Sequence, residues 1–286
     1  MVALGALLGG GVGVFLATSG VGVPSKTKFL TKADAICRPA NAPVASIAKP
    51  TNYPELASAS GAVVTAADAE LVQLHKVKLP AGGGGSQANG VITALASTRA
   101  AAQTLHDAAG HTDDAATAAA TTQLAAQFAD AGSKAKAYGF TACATGMQAG
   151  MDNLVGGTKA LIKTGFMAKA DNLCREGARN LDAIPEPKTD NRDLARAYGQ
   201  VAAVTGKLLT DLKALPVAPG DEATVADMFD AQDKVNAKFA EMRDAASAND
   251  RQRFLAASSE QAPLVTAADS KFDAYGLGIC GSNFGS

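Results

Sequence analysis

Two stretches of this chain carry the same motif, and nothing else in the sequence constrains the fold as strongly. Phe29-x-x-Lys32-Ala33-Asp34-x-x-Cys37-Arg38 returns 137 residues later as Phe166-x-x-Lys169-Ala170-Asp171-x-x-Cys174-Arg175. Each copy is answered downstream by a second cysteine behind an Ala-Tyr-Gly frame, Ala137-Tyr138-Gly139 before Cys143 and Ala274-Tyr275-Gly276 before Cys280. Both cysteine pairs are therefore 106 residues apart. A chain built this way is a duplicated unit with one cysteine near each end of each copy.

Matched cysteine pairs are the usage of an oxidising compartment, because cytosolic thiols are kept reduced. Buried thiols acting as small hydrophobes are the alternative. A zinc site is disfavoured, since no Cys-x-x-Cys or Cys/His cluster of zinc spacing occurs. The hydrophobic fraction of 47% supports real cores, but with no Trp and 5% aromatic residues the chain favours slim, closely spaced helices. With 26 basic and 27 acidic residues interspersed, there is no electrostatic footprint for nucleic acid.

From Val2 to Val23 no residue is charged, a run long enough to cross a bilayer at about 20 residues per helix. A cleaved signal peptide is the rival, although a basic leader is missing and Ala17-Thr18-Ser19 is only a loose cleavage site. Lys26, Lys28 and Lys32 just beyond the run would place that side in the cytoplasm. The cysteines point the other way and outweigh them, which suggests a native start upstream with further basic residues. Gly5, Gly9 and Gly13 form small-xxx-small steps that could pair two such helices in a homodimer.

Apolar spacing predicts four helices per copy. In the first they are Ala33–Ile47, Leu56–Leu79, Val91–Ala109 and Ala115–Tyr138. In the second copy the clearest seam is Leu194, Tyr198, Val201, Thr205, Leu208, Leu212 and Leu215, with Asp190 as N-cap and Pro216 as stop. The next helix carries Val225, Met228, Val235, Phe239 and Met242, with Gln232 in register. The last starts after Asn249 as cap, shows Phe254, Gln261, Val265 and Phe272, and should kink at Pro263. An up-down-up-down bundle brings the start of its first helix and the end of its fourth to one end. Four cysteines allow three pairings, and only Cys37–Cys143 with Cys174–Cys280 respects the repeat without linking its copies. The expected fold is all-α: a transmembrane or signal segment (1–24), a disulfide-clamped four-helix bundle (25–143), a linker with a short helix (144–164) and a second such bundle (165–286).

Motifs of known chemistry are mostly absent from the sequence. No nucleophile elbow, phosphate loop or zinc-protease helix is present, and Gly82–Gly85 reads as a plain flexible loop. His106, His111 and Asp113, with Asp107 and Asp114, are the one weak metal-like cluster, and they fit a solvated helix junction equally well. No metal or cofactor is expected. Asp34 with Arg38, and Asp171 with Arg175, are spaced to pair on one helix face, either as a structural brace or as a duplicated binding contact. Tyr138 and Tyr275 read as packing on the disulfides, with binding as the alternative. Gln232 and Gln261 could line a polar pocket or fix the register of a bundle.

The frame F-x-x-K-A-D-x-x-C-R followed by A-Y-G-x-x-x-C, with an apolar N-terminal span and alanine-rich helices, resembles exported helical envelope proteins of actinobacteria. That resemblance implies location and no catalytic residues. The expected function is a membrane-anchored or secreted, extracytoplasmic, non-enzymatic protein binding a partner protein or an envelope component. The alternative is a small-molecule or lipid carrier or sensor with its ligand between helices.

Overall fold

The computed structural model describes residues 23–187 and 190–284. The chain is all-helical over them: α1 (Lys26–Ala45), α2 (Tyr53–Leu74), α3 (Gly83–Gly110), α4 (Asp114–Tyr138), α5 (Ala142–Thr145), α6 (Gln148–Asp182), α7 (Asn191–Lys213), α8 (Glu222–Ser247) and α9 (Arg251–Tyr275). The uncharged run up to residue 22, with Gly5, Gly9 and Gly13, lies outside the described residues. Among those described, no helix is long and apolar enough to cross a membrane.

Local chemistry sets most of the ends. Ser25, Asn52, Asp113, Asp190 and Asp250 each accept a backbone amide three residues on, satisfying a first-turn donor that has no helical partner. Glu55 in turn accepts the Asn52 side-chain amide and the backbone amide of Thr51 just before it. α4 and α9 end alike: Gly139 and Gly276 are left-handed, and the next amides, of Phe140 and Leu277, reach back to Ala135 and Phe272. The cap of α9 is Asp250, whereas Asn249, the predicted cap, is itself left-handed (φ 53°) and closes α8. α9 runs unbroken through Pro263, and α1 through Pro39 and Pro43.

The predicted linker is the main departure. Residues 148–164 are the first half of α6, one helix of 35 residues. Of its glycines, which read as a linker, Gly150 is where α6 meets α1, since a Cβ there would lie 1.6 Å from the Val44 carbonyl oxygen, and Gly157 abuts Pro50 in the loop beyond. The Gly82–Gly85 loop is also shorter than expected. Gly83–Gly85 form the first turn of α3, drawn in by the buried stripe Ala88, Val91, Ile92 and Leu95 behind them. α2 ends at Leu74, so Leu79-Pro80 belongs to the following loop.

Two cores result. The first takes residues from α1 to α4 and is closed by Met147, Met151 and Leu154 at the start of α6. The second is built from Phe166, Ala170 and Cys174 of α6 with α7, α8 and the end of α9. Close backbone packing joins α1 to α2, α2 to α3 and α3 to α4, and in the second half α6 to α7, α7 to α8 and α8 to α9. Among the described residues α9 does not pack back along α6; the two meet at one end, where Phe166 and Tyr275 touch edge to face.

Candidate functional site

The repeated motif does bring its cysteines together. Cys37 is bonded to Cys143 and Cys174 to Cys280, and no described cysteine is free. Around each bridge the repeat reproduces itself at an offset of 137. Phe29 meets Tyr138 and Phe166 meets Tyr275, both edge to face. Lys26 Nζ lies 4.5 Å from the Tyr138 ring centre and Lys163 Nζ 4.1 Å from that of Tyr275. Both tyrosines thus pack at the bridge ends. Their hydroxyls differ: Tyr275 donates to Asp221 (2.9 Å), whereas the buried Tyr138 hydroxyl has no partner.

The acidic and basic residues of the motif do not pair as predicted. Asp34 turns away from Arg38 and, nearly buried, accepts the amides of Thr141, Ala142 and Cys143 and the Thr141 hydroxyl (2.6 Å). It thereby holds the segment that delivers Cys143. Burial pushes its pKa up, but the Thr141 hydroxyl and the three amides outweigh that and hold it below the usual carboxylate range. Arg38 is exposed and forms no ion pair among the described residues. Asp171 leaves Oδ1 buried without a partner, and Arg175 bonds Asn172 instead. In the second half the turn leans on Asp273, which accepts the Ser282 amide. Lys169 pairs with Asp114, which also accepts the Tyr53 hydroxyl, tying α6 to α4 and α2.

The histidine cluster is not assembled. His106 Nδ1 bonds the Ala57 carbonyl at 2.8 Å, His111 ends α3 and Asp113 caps α4. Among the described residues the one group of metal-ligand type is Cys37, Glu70 and Cys143, and there the disulfide has already consumed both thiols.

Glu70 belongs to none of the sequence motifs. It is 1% exposed on α2, with Oε1 2.5 Å from Cys37 Sγ and Oε2 unpartnered. Burial pushes its carboxyl up to about 7. A disulfide sulfur has no proton to give, so only the protonated carboxyl makes this contact attractive. The signal was available, because Leu56, Ser60, Val63, Ala67, Glu70 and Leu74 alternate steps of four and three and are all buried. A glutamate at a seam position is the anomaly.

The second half holds a cavity of about 300 Å³ at its bridge, whereas the pocket beside Glu70 and Cys143 at the first bridge is about 20 Å³. The larger cavity lies between α6, α7, α8 and α9, along the side where α9 stands off from α6. Its apolar wall includes Leu209, Leu212, Val235, Phe239, Val265 and Phe272, and it reaches the Cys174–Cys280 bridge. Five polar residues line it: Thr205, Gln232, Gln261, Asp269 and Ser282. Thr205 is bonded to the Val201 carbonyl and Gln232 to Asn236. The side chains of Gln261 and Asp269 make no hydrogen bond among the described residues. Burial, then the neighbouring Asp273 charge, pushes the Asp269 carboxyl up. The predicted pocket glutamines therefore meet in one place, with Asp269 added. Set against protein-family models, curated proteins and solved structures, the chain matches none.

Proposed function

We propose that the chain is an extracytoplasmic ligand-binding protein in which the second helical unit holds a small amphipathic molecule, the carrier or sensor alternative above. The observation that carries this is the 300 Å³ cavity with an apolar wall and unpaired Gln261 and Asp269. Its volume stands at the lower end of the range for small-molecule sites, and its mix of apolar lining with a few polar groups is the usual one. The ligand class follows: an apolar body bearing a hydrogen-bond donor, or a cation, turned toward Asp269. The partner-binding reading has less support, since the large exposed apolar residues Val23, Val72 and Leu255 sit on three separate segments. On this proposal the two cores are two four-helix bundles of one duplicated unit, the first filled and the second left open. The uncharged N-terminal run would tether them to a membrane, and both disulfides suit an oxidising exterior.

Native mass spectrometry of the purified chain, with Nile red titration followed by fluorescence, tests the reading. The expected result is a co-purified small molecule or dye uptake with micromolar Kd, lost in Val265→Phe, which fills the cavity. A wild-type chain that carries no bound species and takes up no dye would sink it.

A further inference from the structure

The two disulfides share spacing and frame but not surroundings. Cys174 and Cys280 are both buried, and no carboxylate is grouped with their sulfurs among the described residues. In the first half Cys37 is fully buried beside Glu70, whereas Cys143 is half-buried. An incoming nucleophile can therefore reach Cys143 and not Cys37. The sulfur that must leave is then Cys37, the one in contact with the Glu70 oxygen.

We propose that Cys37–Cys143 is an exchange-competent disulfide whose substrate is a dithiol, with the Glu70 carboxyl as proton donor to the departing Cys37 sulfur. This goes beyond the ligand-binding reading and does not depend on it. A thiolate of the dithiol attacks Cys143 Sγ, and the S–S bond breaks toward Cys37. Its sulfur takes the electron pair and the Glu70 proton, leaving a carboxylate. The second thiol of the dithiol loses its proton to solvent, from which the Glu70 carboxylate is reprotonated, and its thiolate closes on its own partner sulfur. Cys143 is released as a thiolate and takes the proton that the first thiol had lost to solvent. The protein disulfide gains two electrons, and the dithiol becomes a disulfide. In reverse the carboxylate takes the Cys37 proton and the same geometry serves oxidation. A leaving thiolate in an apolar site is a poor leaving group, and a proton held against it removes that obstacle.

The groups facing Glu70 leave it as the lone titrating partner. α1 presents Cys37, α3 Val91, Leu95 and Thr98, α4 Phe128 and Ala135, and α5 Cys143, none of them ionisable while the bridge is intact.

The test is reduction of the full chain by dithiothreitol at pH 5.5 to 8.5, with differential alkylation and peptide mass spectrometry following each disulfide separately. Cys174–Cys280 is the internal reference, so the changing thiolate fraction of the reagent cancels in the ratio of the two rates. The expected ratio favours Cys37–Cys143 by tenfold or more at pH 5.5 and falls with a midpoint near pH 7. In Glu70→Gln it is low and flat. If Glu70 were only a strained buried acid, its ionisation would loosen the site and the ratio would rise with pH; that outcome, or a flat wild-type ratio, overturns the proposal. Should Glu70→Gln fail to fold, the direction of the wild-type profile still decides.

Discussion

A carboxyl group carried into a helical seam must either shed its charge or find donors, and Asp34 and Glu70 take opposite courses. Asp34 meets three amides and a hydroxyl and stays ionised. Glu70 meets apolar walls and a sulfur and holds its proton up to about pH 7. Because its pKa is raised on folding, the native state binds more protons than the unfolded chain between about 4.5 and 7, and stability falls as pH rises through that window. At 1.36 kcal/mol per unit the loss is about 3 kcal/mol, complete above pH 7. Glu70→Gln should abolish that slope, so urea unfolding at pH 5 and pH 8 should give similar stability in the variant and different stability in the wild type. The seam position of Glu70 is visible in the sequence. What it faces is not, because its sulfur neighbour is 33 residues away on another helix. The predicted Asp34–Arg38 pair failed for a related reason: helical spacing permits the contact, but a turn more than 100 residues downstream supplies better partners.

At the scale of the helix, α6 separates what composition can tell from what packing decides. Its glycines lower helix propensity and read as a break, yet the helix is continuous because Gly150 lets its backbone lie against the end of α1. Two substitutions separate these effects. Gly150→Ala should cost about 3 kcal/mol or more, since Cβ would enter the Val44 carbonyl and two backbones must part. Gly156→Ala, with nothing within 4 Å, should leave stability unchanged or raise it by about 1 kcal/mol. Thermal unfolding of the two variants checks both. Helix starts were the most legible elements: Asp190 caps α7 as predicted, through a side-chain bond to the Asp193 amide (2.6 Å). Asn249 was one residue off, because a left-handed residue precedes the true cap.

For the whole molecule, equal cysteine spacing carried the correct pairing, since a duplicated unit leaves one arrangement that respects its copies. Each bridge closes a loop with a separation of 106 residues, for which the chain-entropy estimate is about 4.7 kcal/mol. The second bridge ties α6 to the segment after α9, two helices that do not pack along each other. Replacing Cys174 and Cys280 by serine should lower stability by about 2–5 kcal/mol, measured by thermal unfolding against the wild type. The cavity could not be read from the sequence, because Gln232 and Gln261 show polar seam positions and not the distance between the helices that carry them.

The buried positions of α6 have one more effect. Leu154, Thr158, Ile162, Phe166, Ala170 and Cys174 succeed one another in steps of four, and each step advances about 40° round the axis. Over five steps the inward stripe winds through about 200°, and the face centred on Met147, Met151 and Leu154 lies about 130° round the axis from the face centred on Phe166, Ala170 and Cys174. The helix works like a camshaft with two lobes, and residue count alone sets the angle between them. One half cannot turn against the other about this axis without breaking helical hydrogen bonds, which keeps the Glu70 bridge and the cavity in a constant phase.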